Sequence, residues 1–374
     1  MAGIYLHIPF CKRRCHYCNF YALASKRYRP EFVDRLIKET ESRKGYLAGQ
    51  EIGSIYFGGG TPSLLSADEL NRIFDCLNRN FRLEANCEIT LEANPDDVSR
   101  EWISSLKHTP VNRISMGVQS FRDEDLRYLN RIHGSGDAIT AVKKLQDKGY
   151  HNLTIDLIYG IPGLSIPAWE ENLTTFFSLD LQHLSAYALT VEERTPLHVL
   201  IARQKMEAPD ENATVDHFRR LQELTEEMGY LHYEISNFAR EGHYSRHNTI
   251  YWTGGHYLGL GPSAHSFNGH SRRWNVSSIK QWIENPDDFS ETFEEEVLSK
   301  EHRYNEYVMT SLRTMWGCSI AMVRTEFGEE YVAYLLEESR PHILTEKLVI
   351  RNDTLYLSRK GKLFADGIAS DLFR

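Results

Sequence analysis

Cysteine is scarce, with six in 374 residues, and the six are unevenly placed. Three crowd into positions 11–18, whereas Cys76, Cys87 and Cys318 are scattered and read as ordinary buried thiols, so a secreted disulfide framework is excluded. Apolar residues never run together for the ~18 positions that a membrane span needs. The opening MAGIYLHIPF lacks the basic start and long apolar stretch of a signal peptide. A soluble, cytoplasmic chain, with at most peripheral membrane contact, is therefore expected. Cations are in deficit as well. Lys and Arg number 43 against 52 Asp and Glu, a net charge of -9, which argues against a broad grip on nucleic acid; no nucleic-acid partner is expected. Internal repeats, low-complexity tracts and coiled-coil heptads are also missing, and the last absence leaves the oligomeric state open.

What is present is a regular alternation. Short runs rich in β-branched and apolar residues fall at 3–7, 54–57, 88–92, 113–117, 153–158 and 183–188. Between and after them, apolar residues recur at helical spacing near 30–44, 66–79, 99–107, 135–149, 166–178 and 211–228. Six βα units in series predict an α/β fold with a parallel sheet and right-handed crossovers, either an open sheet or a partial barrel. Both architectures bind ligands at the carboxyl ends of the strands. The unusual residues cluster there: His7-Ile8-Pro9, Gly58-Gly59-Gly60-Thr61, Asn94-Pro95, Gln119 and Tyr159-Gly160-Ile161-Pro162-Gly163. The acidic stretch 284–296 reads as a connector. Residues 300–374 read as two helices, a hairpin around Asn352-Asp353 and a last helix after Gly361, the order of a small winged-helix module.

CKRRCHYC places Cys11, Cys15 and Cys18 at CxxxCxxC spacing on a loop directly after the first strand. Three thiolates on a compact loop suit three corners of a [4Fe-4S] cluster and leave the fourth iron open. An open coordination position is what a substrate-binding metal requires, and the amino and carboxylate groups of S-adenosylmethionine can fill it. A structural zinc site is the alternative, with His7 and His16 as the only nearby extra donors.

YLHIPFCKRRCHYCNF, YFGGGTPS, LEANPDD, RISMGVQSF, LNRIH, IDLIYGIPG and LGLGPSAHSF occur in this order along nearly the whole chain. Together they resemble the radical S-adenosylmethionine superfamily, in particular its coproporphyrinogen dehydrogenase-like branch. The resemblance implies a partial (β/α)6 TIM-type barrel over 1–230, a barrel extension and connector over 231–299, and a small α+β, winged-helix-like C-terminal domain over 300–374. It further implies a [4Fe-4S] cluster on Cys11, Cys15 and Cys18. S-adenosylmethionine would be held by Tyr5, Gly59, Gly60, Thr61, Glu92, Gln119, Arg131, Asp156 and Ala188.

Within that branch the dehydrogenases carry a further cysteine two places after the third, where this chain has Phe20, and a long arm ahead of the cluster, where this chain has ten residues before Cys11. Both departures, and the HNxxYW element of His247, Asn248, Thr249, Ile250, Tyr251 and Trp252, are similar to the branch's heme-chaperone members. That similarity implies heme as a third ligand, at His247, Asn248, Tyr251 and Trp252, with His265 a further candidate. It also implies client hemoproteins, respiratory enzymes among them, and an electron donor to the cluster. The same aromatics could instead fill a core. No CxxCH occurs, so covalent c-type attachment has no support. Coproporphyrinogen III dehydrogenase activity, or another radical reaction on a tetrapyrrole, is the competing expectation, and no catalytic residue is nominated.

Overall fold

A computed structural model of the chain describes residues 2–25, 27–285 and 289–374. The six apolar runs form six parallel strands that lie side by side in sequence order: β1 (Ala2–Ile8), β2 (Ile52–Gly59), β3 (Leu83–Ala93), β4 (Arg113–Gln119), β5 (Leu153–Tyr159) and β6 (His183–Ala188). Their crossovers contain α1 (Arg29–Ser42), α2 (Ala67–Asn80), α3 (Arg100–Leu106), α4 (Asp123–Tyr128), α5 (Ser135–Asp147) and α6 (Ile166–Ser178). After β6 come α7 (Pro196–Ala202) and α8 (Glu211–Glu227). Local chemistry sets the helix starts. Ser66 and Glu69 close a capping box on α2, and Ser165 and Asp210 cap α6 and α8, each cap being worth ~1 kcal/mol.

Each central strand alternates strictly between two environments. Ile4, Leu6 and Ile8, Ile55 and Phe57, Ile114, Met116 and Val118, and Ile155 and Leu157 point outward into one core with the helices. That core takes Leu36 from α1, Leu77 from α2, Leu145 from α5 and Trp169 from α6, all buried. A fully buried side chain of this size contributes ~1.5–3 kcal/mol, so the outer layer carries the fold. The alternate residues, such as Ser115, Gly117, Thr154 and Asp156, face inward and are small or polar.

Residues 231–275 extend the same sheet at both edges. At one edge β7 (Leu231–Glu234) and β8 (Asn237–Ala239) add antiparallel strands beside β6. After α9 (Arg246–Trp252), β9 (Tyr257–Leu260) pairs parallel to β1, and β10 (His265–Phe267) and β11 (Ser271–Asn275) follow antiparallel. Past α10 (Ile279–Glu284), β12 (Phe293–Val297) forms the edge. The sheet therefore has twelve strands, from β12 through β1 to β6 and on to β7, and does not close: it is a partial barrel. Of the acidic stretch read as a connector, 286–288 lie outside the described residues. Its last part is β12, where Glu294, Glu295 and Glu296 sit opposite Trp274, Arg273 and Arg272.

The C-terminal segment has its own core, with Tyr304, Val308, Leu335 and Leu355 buried. It contains α11 (Lys300–Leu312), β13 (Cys318–Ser319), α12 (Ile320–Phe327), α13 (Glu329–Leu344), the hairpin β14 (Leu348–Arg351) and β15 (Thr354–Leu357), and α14 (Ala365–Asp371). The hairpin and final helix stand where the sequence put them. Three helices precede the hairpin, not two, because Gly328 at φ +90° divides what periodicity alone reads as continuous. With β13 pairing to β15, the arrangement is that of a winged helix.

Candidate cofactor site

The inward-facing strand residues line a cavity of about 790 Å³ at the carboxyl ends of the strands. The cysteine loop closes one side. It is fixed by the backbone bonds Cys11 N–H to Leu23 O (3.0 Å), His16 N–H to Leu129 O (3.2 Å) and Leu197 N–H to His16 O (2.8 Å), and by Lys12 pairing with Asp96 and Asp97. His16 is occupied by its own anchoring bond to Tyr128 O (3.0 Å).

Cys11, Cys15 and Cys18 all line the cavity. Donors are already aimed at two of the sulfurs: the Thr61 hydroxyl lies 3.5 Å from Cys11 Sγ and Arg131 Nη1 lies 3.3 Å from Cys15 Sγ. Burial pushes the Cys11 thiol up and the Cys18 thiol to about 11, so thiolates at neutral pH require cationic compensation. Among the described residues no three His, Cys, Asp or Glu side chains gather around a single metal-ion position. The donor set nevertheless fits a multi-iron group: three soft ligands line one end of one cavity, with a guanidinium beside them whose Nε is buried without a partner.

Eight of the nine residues expected to hold S-adenosylmethionine come together on this cavity: Gly59, Gly60, Thr61, Glu92, Gln119, Arg131, Asp156 and Ala188. Tyr5 does not reach the lining. Its ring stacks on Tyr56 at 6.2 Å, a Cβ on Gly58 would stand 3.0 Å from it, and its hydroxyl bonds His7 Nδ1 at 3.1 Å. Gly59 sits at φ +101° directly over the His7 imidazole, where a Cβ would come within 2.5 Å; only glycine permits that close approach.

The electrostatics centre on two carboxyls. Glu92 accepts from the Tyr56 hydroxyl (2.8 Å) and from Gly59 N–H (3.2 Å). Burial pushes both Glu92 and Asp156 up to about 7, despite these donors at Glu92 and despite Ser185, Arg131 and Arg113 around Asp156. Arg131 Nη2 also donates to Asn94 Oδ1 (2.5 Å) and Gly117 O (2.7 Å), which fixes its plane. Gln119 holds φ +71°, beside an irregularity between β4 and β5, a left-handed backbone that costs ~1–3 kcal/mol in a non-glycine and concentrates at functional sites. Charged hydrogen-bond partners of both signs thus surround one space. They can hold an amino acid head group, a ribose and a sulfonium together.

The HNxxYW element divides. Asn248 lines the cavity, whereas His247, Tyr251 and Trp252 do not. His247 is 1% exposed; its Nδ1 bonds Ser54 Oγ and its Nε2 bonds Tyr251 Oη, both at 2.8 Å, and its ring stacks on Tyr56 at 5.0 Å. Desolvation pushes it down to about 3, so it is neutral and both ring nitrogens are committed. Folded this way, His247 braces Tyr56 from the inner face of β1 and β2, and its one lone pair is engaged by a hydroxyl. Trp252 carries Arg313 over its face at 5.1 Å, and His265 is exposed and stacks on Trp274 at 6.3 Å. Phe20 borders the cavity and is 62% exposed.

Sequence reasoning missed the deeper lining, including Arg113, Ser115, Thr154, His183, Ser185 and Tyr187. Their signal is legible in retrospect: polar residues at every second position of runs otherwise filled by Ile, Leu and Val. It also missed the roof, where Arg313 and residues 362–367 of the C-terminal segment border the cavity.

Comparison with known proteins bears on this geometry. Residues 5–175 match the radical SAM superfamily model and residues 298–364 the HemN C-terminal domain. Proteins named heme chaperone HemW are 33% identical in Bacillus subtilis, over 98% of each chain. The Mycobacterium tuberculosis protein of that name is 31% identical over 99% of this chain and 94% of its own. The Escherichia coli one is 37% identical over 70% and 69%. Coproporphyrinogen III oxidase (HemN) from E. coli, a radical SAM enzyme, superposes with a TM-score of 0.85 at 22% identity, over 100% of this chain and 90% of that one, a likeness of fold. The open barrel, the cysteine loop at its mouth and this end-to-end similarity place the chain in the HemW family of the radical SAM superfamily.

Proposed function

We propose that the chain is a heme chaperone that holds a [4Fe-4S] cluster, S-adenosylmethionine and heme, and passes heme to client hemoproteins in the cytoplasm. The near full-length similarity to proteins named heme chaperones carries the reading. Cys11, Cys15 and Cys18 ligate the cluster, with Arg131 and Thr61 stabilising the sulfurs. The cavity wall of Gly59, Gly60, Thr61, Glu92, Gln119, Arg131, Asp156 and Ala188 receives the cosubstrate. A reduced cluster beside it supplies one-electron chemistry, while the protein binds, orients and excludes water. In this reading 1–230 form the cofactor core, 231–299 extend and stiffen it, and 300–374 roof it. An electron donor and peripheral contact with respiratory clients belong to the same proposal.

The test is a paired assay on anaerobically reconstituted protein. Heme titration followed by absorbance should saturate near ~1 equivalent, and coproporphyrinogen III should not be turned over even with reductant and S-adenosylmethionine present. Conversion to protoporphyrinogen IX would replace the chaperone by a dehydrogenase. Failure to bind heme would remove the reading altogether.

A further inference from the structure

The roof of the cavity contains a cation whose charge the protein does not match. Lys362 stands on a short 3-10 turn, Gly361–Phe364, between β15 and α14, and lines the cavity. Its Nζ donates to His232 O on β7 at 3.3 Å, and among the described residues no carboxylate stands within ion-pair distance. The neighbouring cavity cations differ. Arg313 pairs with Glu234 (3.1 Å) and Asp366 (2.5 Å). Arg113 is bonded to Asn152 and Thr154 and faces Glu88 at 3.8 Å, and Arg131, which among the described residues also has no carboxylate at ion-pair distance, is committed to Asn94, Gly117 and Cys15 Sγ on the cysteine-loop side. Arg13 and Arg14 are exposed to water. Burial pushes the Lys362 ammonium down to about 8, against the distant pull of Glu234 and Glu226.

The turn is held in place. Leu363 packs into the main core, Ile235 packs into the C-terminal core, and a Cβ on Gly361 would meet Lys347 O at 1.9 Å. Ile235 N–H to Arg313 O (3.1 Å) and Met315 N–H to Tyr233 O (2.9 Å) join the two parts through backbone. The ammonium is therefore presented by a fixed support, which suits a binding group. The same part of the cavity offers exposed rings beside the Arg313–Asp366 pair: Phe364 is 47% exposed, with the Lys347 ammonium 4.1 Å from its ring centre, Tyr187 is 42% exposed, and both border the cavity with Leu363 and Ile235. A flat, apolar ligand with a pendant carboxylate fits a wall of this kind, because a half-buried cation with no carboxylate of its own gains from an anion brought to it.

Resting on the heme-chaperone reading, we propose that Lys362 anchors a propionate carboxylate of heme beneath the C-terminal roof, on the β7 side of the cavity and away from the cysteine loop after β1. Recognition of heme then involves both parts of the chain, and the S-adenosylmethionine wall between β2 and β6 stays free.

The experiment compares two probes on the full-length, reconstituted protein: ferric heme and its propionate dimethyl ester, each delivered in the same detergent. Wild-type protein should bind heme more tightly than the ester. Lys362→Met should lower heme affinity by about tenfold or more while leaving ester affinity, S-adenosylmethionine affinity and the thermal midpoint unchanged or, for the midpoint, raised. Lys362→Arg, which keeps the charge, should retain most of the heme affinity. Equal heme binding by wild type and Lys362→Met overturns the proposal and leaves the chaperone reading standing. Equal losses for heme and ester, or a loss of S-adenosylmethionine affinity, overturn it by showing a structural or cosubstrate role. Absence of heme binding by the wild type overturns both readings.

Discussion

The strand-end wall and the HNxxYW helix are both conspicuous in the sequence, and the fold uses them oppositely. Glu92, Gln119 and Asp156 sit at strand positions whose side chains point into the cavity. His247 and Tyr251 sit on a short helix packed against the inner face of β1 and β2, at Gly3 and Ser54 near their amino ends, where their polar atoms satisfy Ser54 and each other. The difference is one of direction, not of chemistry. The strand ends leave their side chains open to the cavity, whereas α9 turns His247 and Ile250 onto the strands and buries them there.

Four perturbations test this contrast, beginning with the largest. Cys15→Ala should abolish the roughly four irons and four sulfides expected per chain after anaerobic reconstitution; zinc retained in place of iron–sulfur absorbance would refute the cluster assignment. His247→Ala should destabilise the fold by about 3 kcal/mol in urea denaturation, since it opens a cavity and strands the hydroxyls of Ser54 and Tyr251. Loss of heme binding by that variant with unchanged stability would break the comparison and return His247 to the ligand set. Asp156→Ala or Gln119→Ala should weaken S-adenosylmethionine about tenfold or more, ~1.5–3 kcal/mol, with the cluster intact, as measured by anaerobic calorimetry.

The smallest effect is that of pH. Glu92 and Asp156 have folded-state values near 7, above the ~4 of an unfolded chain, so the ligand-free fold binds extra protons between those limits. Their contribution to stability is present below pH ~4 and is lost as pH rises through about 7. Cosubstrate affinity should move the other way, rising a few-fold from pH 6 to 8 as the carboxyls ionise. A flat affinity profile would mean that they bind in their neutral forms.

Most of the architecture was legible because helical and strand periods alternate without interruption through β6. The six strands and their principal helices lie within a few residues of the runs read from sequence. β7 to β12 were not legible: they are three to five residues long, too short for a period to register, and the two short sets join the sheet only where β8 pairs with β6 and β9 with β1, far off in sequence. The site was readable where residues fall at strand ends beside glycine or proline. Tyr5 fails that logic because it lies one turn of the pleat deeper, under Gly58. Lys362 could not be found from sequence at all, since a lone lysine after a hairpin carries no pattern and acquires meaning only when the C-terminal segment folds onto β7.

The two-sided strands separate what keeps the protein folded from what lets it bind. Helices press on Ile, Leu, Val and Phe of the outer face, while Ser115, Gly117, Thr154, Asp156 and Ser185 of the inner face touch little of that packing. Inner positions can therefore exchange without loosening the scaffold. One crescent of strands can thus take a new lining while keeping its shell.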